Sequence, residues 1–317
     1  MSGRIRIGFR LALFFVVALF SALCVTWGGM AYWANRTVLT VSRADVQFSF
    51  ERGVNWLMAH QREVLQDGNS ALWWMLNLAA NESHDARLQG LVQAFVVHLE
   101  MPNGQASPWL RMLDPTLAPR PNEPMEEGYW PYQRFFFHAL TCQPQPLDDG
   151  RTSAVFLHQN MCRPMLGKVW GHDSVCSTHQ LMGLELHRQL QCAPWSQEQL
   201  QLTADLVSDV RTQLQVSPVF EDAYLQRVLV MKWLAPHTQQ HKSGFEPIWL
   251  RRAIQAQGAD GGWAGRYQMP EWPNWLQLSA LRHLSKLMMG HTSTIEPESD
   301  FHATAQGVLL MALSLKD

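Results

Sequence analysis

A short segment, Trp170 to His179, holds the densest cluster of residues in this chain that could do chemistry. If the segment begins a helix, His172, Cys176 and His179 fall at positions i, i+4 and i+7, on one helix face. Zinc accepts imidazole and thiolate ligands in such an arrangement, and Asp173 would ligate the metal or orient one imidazole. A metal centre is therefore one interpretation of this cluster.

Two interpretations need no metal. His172 or His179 would act as a general base with Asp173 or Glu185 as its partner, because imidazole titrates near neutral pH and needs an orienting acceptor. Alternatively, Asp173 caps the helix, Cys176 forms a disulfide, and the histidines have no catalytic role. We favour no metal or other cofactor here, and zinc remains the alternative.

The N-terminus predicts the compartment of these residues. Residues 11–34 carry no charged side chain, and a helix of this length is long enough to cross a bilayer. The positive-inside rule places residues 1–10 in the cytoplasm as a basic tail, and residues 35–317 outside. In a bacterium this predicts a single-pass inner-membrane protein with its bulk in the periplasm. A cleaved signal peptide is the alternative, because Gly29, Met30 and Ala31 could form a processing site.

Cysteine usage agrees with an exported domain. Four cysteines lie outside the apolar segment: Cys142, Cys162, Cys176 and Cys192. Four cysteines allow three pairings, and one or two disulfides are expected in an oxidising compartment. The chain has no CxxC, so a thioredoxin-like redox motif and covalent haem attachment are excluded.

Composition excludes other classes of function. The chain is 47% hydrophobic and 16% charged with a net charge of −2, which predicts a folded core and gives no electrostatic footprint for nucleic acid. The sequence lacks GxSxG, HExxH, GxGxxG and P-loop motifs, which removes several common enzyme classes.

Apolar periodicity predicts an all-α exported domain. Helical patterns recur along it, and strand-like alternation is scarce. Ser196 with Gln199 forms a capping box, and Ser299 or Asp300 could cap the last helix. Residues 101–131 are rich in proline and predict a long irregular excursion within the domain. Further helices are predicted at 45–57, 71–78, 87–100, 134–140, 173–191, 197–215, 222–234, 247–257, 273–289 and 300–315.

Two segments resemble the repeat of terpene cyclases. Arg52 to Gln61 is similar to its first half, basic-small-x-x-aromatic-Leu-x-x-x-Gln. Gln257 to Trp263 resembles its second half, in which Gln precedes Gly-x-Trp. Each segment carries only one half. The motif is structural, since Gly permits a tight turn and Trp packs over the end of a helix.

Asp300, Phe301 and His302 are similar to a segment of protein prenyltransferase β subunits whose histidine binds zinc. Those enzymes pair it with Asp-x-Cys, whereas Asp173 and Cys176 here are one residue too far apart. Together the resemblances imply an α/α toroid of helical hairpins with a central cavity. The zinc set that we consider as the alternative to a metal-free site combines His172, Cys176 and His179, which share a helix face, with His302 from this resemblance.

The implied toroid makes several residues candidates for the central cavity. We predict His172, Asp173, His179 and His302 as catalytic residues. The predicted cavity-lining residues are Tyr129, Trp130, Tyr132 and Glu185, and aromatic walls would suit a sugar ring or an isoprenoid chain. The sequence thus predicts a membrane-anchored envelope enzyme acting on a polysaccharide or lipid-linked substrate. The alternative is a non-catalytic protein that binds or scaffolds an envelope partner, such as another protein, through the helical array.

Overall fold

The domain is built from α-helices, as the sequence predicts. The structure is a computed structural model that describes residues 2–36, 40–99, 107–117, 129–162, 175–235, 247–265 and 298–316. Its α-helices are α1 (Ser2–Ala34), α2 (Arg43–Ala59), α3 (Gln61–Val64), α4 (Ser70–Ser83), α5 (Ala86–His98), α6 (Pro131–Thr141), α7 (Cys176–Gln189), α8 (Gln197–Val216), α9 (Asp222–Leu234), α10 (Pro247–Gln255) and α11 (Phe301–Ser314). Short 3₁₀ helices span Pro108–Met112 and Ser153–Leu157.

Several predictions concern single helices. The Ser196 capping box forms at the start of α8, and Asp300 caps α11 by accepting the Ala303 N–H. The excursion predicted at 101–131 contains the 3₁₀ helix Pro108–Met112 in its described part. The helix predicted over 273–289 lies outside the described residues.

The first turns of five helices meet at one end of the domain. Tyr132 of α6 packs on His179 of α7, and His138 packs on His187 near the other ends, so these two helices run parallel. Likewise α4 and α11 meet near their starts and are joined near their ends by an ion pair between Glu82 and Lys316. Contacts between first turns add α9 to this group. We call the first turns of α4, α6, α7, α9 and α11 the site end.

Two other helices run antiparallel to a neighbour in this group. Phe95, near the end of α5, stacks on Trp73 in the first turn of α4 with ring centroids 3.9 Å apart. Gln213, near the end of α8, donates to Ser177 in the first turn of α7. Thus α5 and α8 also have their C-terminal ends at the site end, as expected of helical hairpins.

The core lies around α11. Every residue of α11 from Ala303 to Ala312 is buried, because α2, α4 and α9 all pack against it. Two helices that pack on α11 also contact each other: the ring of Trp74 in α4 meets the ring of Trp233 in α9 edge-on, with ring centroids 5.0 Å apart. A helix that is apolar on all sides needs such surroundings, so its sequence fits its central position.

The two half-motifs meet in space although they lie far apart in sequence. Gln257 donates to the Ser49 carbonyl and accepts from the Ser49 hydroxyl, and Trp56 donates to Asp260 at 3.0 Å. Trp263 lies against two glycines, Gly53 of α2 and Gly307 of α11. The Gly-x-Trp turn therefore joins α2 to the last helix of the domain, α11.

The N-terminal helix α1 is long and apolar enough to cross a membrane over Leu13–Ala34, and its residues 13–26 are exposed. The helix continues unbroken through the candidate processing site at residues 29–31. These features fit either a membrane anchor or a signal sequence.

Candidate functional site

A single loop residue links the starts of α9 and α11. Gly265 donates its N–H to Asp300 Oδ2 at 2.6 Å, and its carbonyl accepts from Asp222 N–H at 3.3 Å. The other oxygen of Asp300 caps α11. Asp222 and His302, which occupy the first turns of these helices, are therefore held side by side.

Asp222, His302 and Gln306 form a polar group across these two helices. Nδ1 of His302 lies 3.1 Å from Oδ1 of Asp222. The Gln306 amide donates to the same Asp222 oxygen at 3.0 Å and lies 3.2 Å from Nε2 of His302. The His302 side chain is 45% exposed, so it can reach a bound molecule.

His179 adds a second imidazole from α7. Its Nδ1 lies 2.7 Å from the Val175 carbonyl, and its Nε2 lies 3.5 Å from the Gln226 amide of α9. Tyr132 covers the ring, with centroids 4.2 Å apart. These three contacts hold the His179 ring in one orientation at the site end.

The two imidazoles have pKa values on opposite sides of the ordinary value. Burial lowers the pKa of His179 to about 4, against the Val175 carbonyl, and the charge of His302 lowers it further. Burial also acts to lower the pKa of His302, but the hydrogen bond and charge of Asp222, helped by Asp300, outweigh it and raise that pKa. At neutral pH, His179 is therefore neutral while His302 holds a proton more readily than a free histidine.

Two buried acceptors lie next to these imidazoles. Oε1 of Gln226 and Oε1 of Gln306 have no hydrogen-bond partner among the described residues. Buried amide oxygens are normally paired, and an exception at a polar site points to a bound water or ligand. The site end therefore offers acceptors as well as imidazoles to a polar molecule.

An acidic cavity adjoins this group. Its volume is about 380 Å³, and the charges of two of its lining carboxylates, Asp67 and Asp300, help to raise the pKa of His302. On another wall the rings of Trp56 and His60 stack with centroids 4.1 Å apart. The cavity therefore presents an aromatic face and carboxylates next to the start of α11, where Asp300 and Phe301 line it and His302 follows them in the chain.

The structure brings some of the predicted catalytic residues together. His179 and His302 come from helices far apart in sequence, and both lie at the site end close to Asp222. His172 and Asp173 lie outside the described residues, so their predicted roles stay predictions.

The four residues predicted to line the cavity do not lie together. Tyr132 contacts His179, whereas Tyr129 packs edge-on against Trp109 and Trp130 is 59% exposed. Glu185 is buried farther along α7, where it binds Arg188. None of these four residues lines the 380 Å³ cavity.

The four cysteines that follow α1 are within disulfide distance in two pairs, Cys142 with Cys192 and Cys162 with Cys176. A disulfide sulfur is not a thiolate, so in this state Cys176 cannot serve the alternative zinc set. Among the residues that the structure describes, no group of three or more His, Cys, Asp or Glu side chains is placed to hold a metal ion.

Sequence reasoning missed Asp222, Gln226 and Gln306. One signal was present: each glutamine follows a first-turn Asp or His by four residues, on helices that are otherwise largely apolar. A polar pair at this spacing shares one helix face and is unusual in a core helix.

The chain was compared with known proteins. No family model, curated protein or solved structure matches it.

Proposed function

We propose that this chain is a membrane-anchored enzyme of the cell envelope, with its bulk in the periplasm, and that His302 is its acid–base group. The observation that carries the proposal is the Asp222–His302 pair, which lies beside His179 and partly exposed at the site end. A carboxylate that orients an imidazole is a recurrent arrangement for moving protons during catalysis.

The pKa values of the two histidines support acid–base chemistry. Neighbouring groups whose environments push their pKa values apart can divide the roles of proton donor and acceptor. His302, with its raised pKa, would donate a proton to a leaving group, and His179 would remain a neutral acceptor. Asp222 would orient His302 and stabilise its charged form.

We further propose that the helical hairpins form an α/α toroid. Two observations support this arrangement: the shared site end of α4, α6, α7, α9 and α11, and the contact between the half-motifs, which joins the first exported hairpin to the last. In such an array the helix starts form one rim, and ligands would enter there.

The substrate class that suits this rim is a polysaccharide or a lipid-linked saccharide. The stacked rings of Trp56 and His60 would cover the apolar face of a sugar, and carboxylates such as Glu63 and Asp67 would accept hydrogen bonds from its hydroxyls. The cavity volume of about 380 Å³ lies in the range of small-ligand sites.

The test is a turnover screen with matched histidine variants. The full-length protein in detergent would be incubated with envelope polysaccharides and lipid-linked saccharides, and products would be detected by mass spectrometry. We expect His302→Gln to lower turnover about 100-fold or more while the thermal midpoint falls by no more than about 4 °C. The control is His158→Gln, since exposed His158 also lies near a carboxylate, Glu198 at 3.5 Å, and should behave as the wild type. Full turnover by a folded His302→Gln variant would refute the proposal.

One observation favours a non-catalytic binding or scaffolding protein as the second candidate. The buried rings of Trp74 and Trp233 pack edge-on against each other, 5.0 Å apart, and neither residue lines the 380 Å³ cavity. A binding protein would retain ligand affinity in His302→Gln and would convert no ligand in the screen.

A further inference from the structure

The contact between α1 and the rest of the domain indicates how the site end is oriented. Trp27 donates from Nε1 to the Val216 carbonyl at 3.0 Å, and Asn35 donates to the Gln215 carbonyl at 2.8 Å. Ala31 and Ala34, on the same turns, are buried. Residues 13–26 of α1 are exposed, so this apolar part of the helix projects away from the end of α8.

The end of α8 belongs to the site end. Gln213 contacts Ser177 in the first turn of α7, and Arg252 donates to the carbonyls of Ser217 and Pro218 directly after α8. His179 lies in the same turn of α7 as Ser177, and its Nε2 lies 3.5 Å from the Gln226 amide of α9. The catalytic candidates therefore lie close to the point from which α1 leaves the domain.

Exposed apolar side chains at the site end provide independent support. Trp130, at the start of α6, is 59% exposed, and Val97, at the end of α5, is 70% exposed. On α1, Tyr32 is 74% exposed, and the guanidinium of Arg36 lies 5.1 Å from the centre of the Trp33 ring. Tryptophan, tyrosine and arginine are the side chains that favour a membrane–water interface.

We propose that the site end faces the outer leaflet of the membrane and that the substrate is held in that leaflet. The proposal rests on the proposed function, since it takes α1 as a retained anchor, and it narrows the substrate class to lipid-linked molecules. If the lipid of the substrate stays in the bilayer, its polar head group would reach His302 near the point where α1 contacts the end of α8. A soluble polysaccharide would have to enter between the domain and the membrane.

The experiment measures the depth of nitroxide labels on the full-length chain. In a Cys24→Ser background, Val97→Cys, Trp130→Cys and Leu200→Cys would each be spin-labelled and placed in nanodiscs of phosphatidylethanolamine and phosphatidylglycerol. Leu200 is the control, because it is 49% exposed and lies sixteen residues before Val216, about 24 Å along α8. Power saturation would compare relaxation by oxygen, which partitions into lipid, with relaxation by water-soluble nickel ethylenediaminediacetate.

We expect the ratio of oxygen to nickel accessibility to be several-fold higher at positions 97 and 130 than at position 200. Equal, water-like ratios at all three positions would overturn the proposed orientation, as would a higher ratio at position 200. The label depths do not depend on turnover. Lipid contact with a fully active His302→Gln variant would refute the acid–base role of His302 alone, and water exposure with an inactive His302→Gln variant would refute the orientation alone.

Discussion

Nδ1 of His302 lies 3.1 Å from Oδ1 of Asp222, which makes the start of α11 electrostatically dependent on the start of α9. The same carboxylate acts on His179 across the site end, where burial nevertheless keeps that imidazole neutral. One carboxylate thus influences two imidazoles that have opposite protonation preferences.

The first prediction concerns the pH dependence of this pair. Because the pKa of His302 is raised in the folded state, the pair stabilises the fold fully below the unfolded pKa, and this stabilisation is lost as pH rises through the folded value. Asp222→Asn should therefore cost more stability at pH 5.5 than at pH 9. The pair is partly exposed, so the pH-dependent part should stay below about 1 kcal/mol. Urea unfolding at both pH values measures it.

The matched control is Glu198→Gln, which removes the carboxylate near exposed His158. This variant should leave the titration of His302 unchanged. If Asp222→Asn lowered the free energy of unfolding more at pH 9 than at pH 5.5, the predicted pH dependence of the Asp222–His302 pair would be wrong.

The second prediction concerns two buried histidines, His138 and His187, whose rings lie 5.6 Å apart. Burial and the neighbouring His187 lower the pKa of His138 to about 4. Between pH 6.5 and 4 the unfolded state binds more protons, so the free energy of unfolding should fall by about 1–3 kcal/mol as the solution is acidified.

His138→Gln should reduce this acid dependence without abolishing it, because it removes the most strongly shifted group of the pair while His179 keeps its lowered pKa. Unfolding curves recorded at several pH values from 4 to 7 provide the slopes. An unchanged slope in the variant would mean that His138 is not buried in its neutral form.

How far the sequence predicts this fold differs from element to element. Apolar periodicity and caps such as Ser196 and Asp300 are local signals, and they predict helices that the structure contains. The identity of the Asp222 partner is not a local property, since a first-turn aspartate has the same appearance whether it caps a helix or binds a histidine on another one. His179 and His302 were predictable as candidates, whereas their carboxylate required the packing of α9 against α11.

The disulfide pairing and the contact between the half-motifs are likewise not predictable from local sequence. Four cysteines allow three pairings, and only the packing of α6 on α7 selects Cys142 with Cys192. The half-motifs at Arg52 and Gln257 each lack their complement in sequence, and no repeat period indicates that they meet.

The third prediction tests the contact between the half-motifs. A Cβ atom at Gly307 would lie 2.5 Å from the Trp263 ring, so Gly307→Ala should destabilise the fold by about 1–3 kcal/mol through overpacking. Gly90→Ala is the matched control on α5, where a Cβ would meet nothing within 4 Å. There the substitution should stabilise the fold by about 0.5–1 kcal/mol. Equal effects of the two variants in urea unfolding would contradict the packing of Trp263 on α11.

The fourth prediction concerns the disulfides. The denatured, unreduced chain should contain one free thiol, Cys24, in a thiol-labelling assay. Replacing Cys142 and Cys192 with alanine opens a long loop that joins α6 to α7 and should lower the free energy of unfolding by about 2–5 kcal/mol. Cys24→Ser should abolish the remaining thiol signal without this loss. Three or more labelled thiols in the unreduced wild type would contradict the pairing.

The central claim is that the site end holds two imidazoles tuned in opposite directions, and histidine NMR tests it most directly. Imidazole signals of the isotope-labelled full-length protein in detergent would be titrated from pH 4 to 9 and assigned with His302→Gln and His179→Gln. We expect a pKa above 6.5 for His302 and one near 4 for His179, and the latter should rise when His302 is replaced. Titration of both histidines near 6.5, with no response of one to the loss of the other, would contradict the claim.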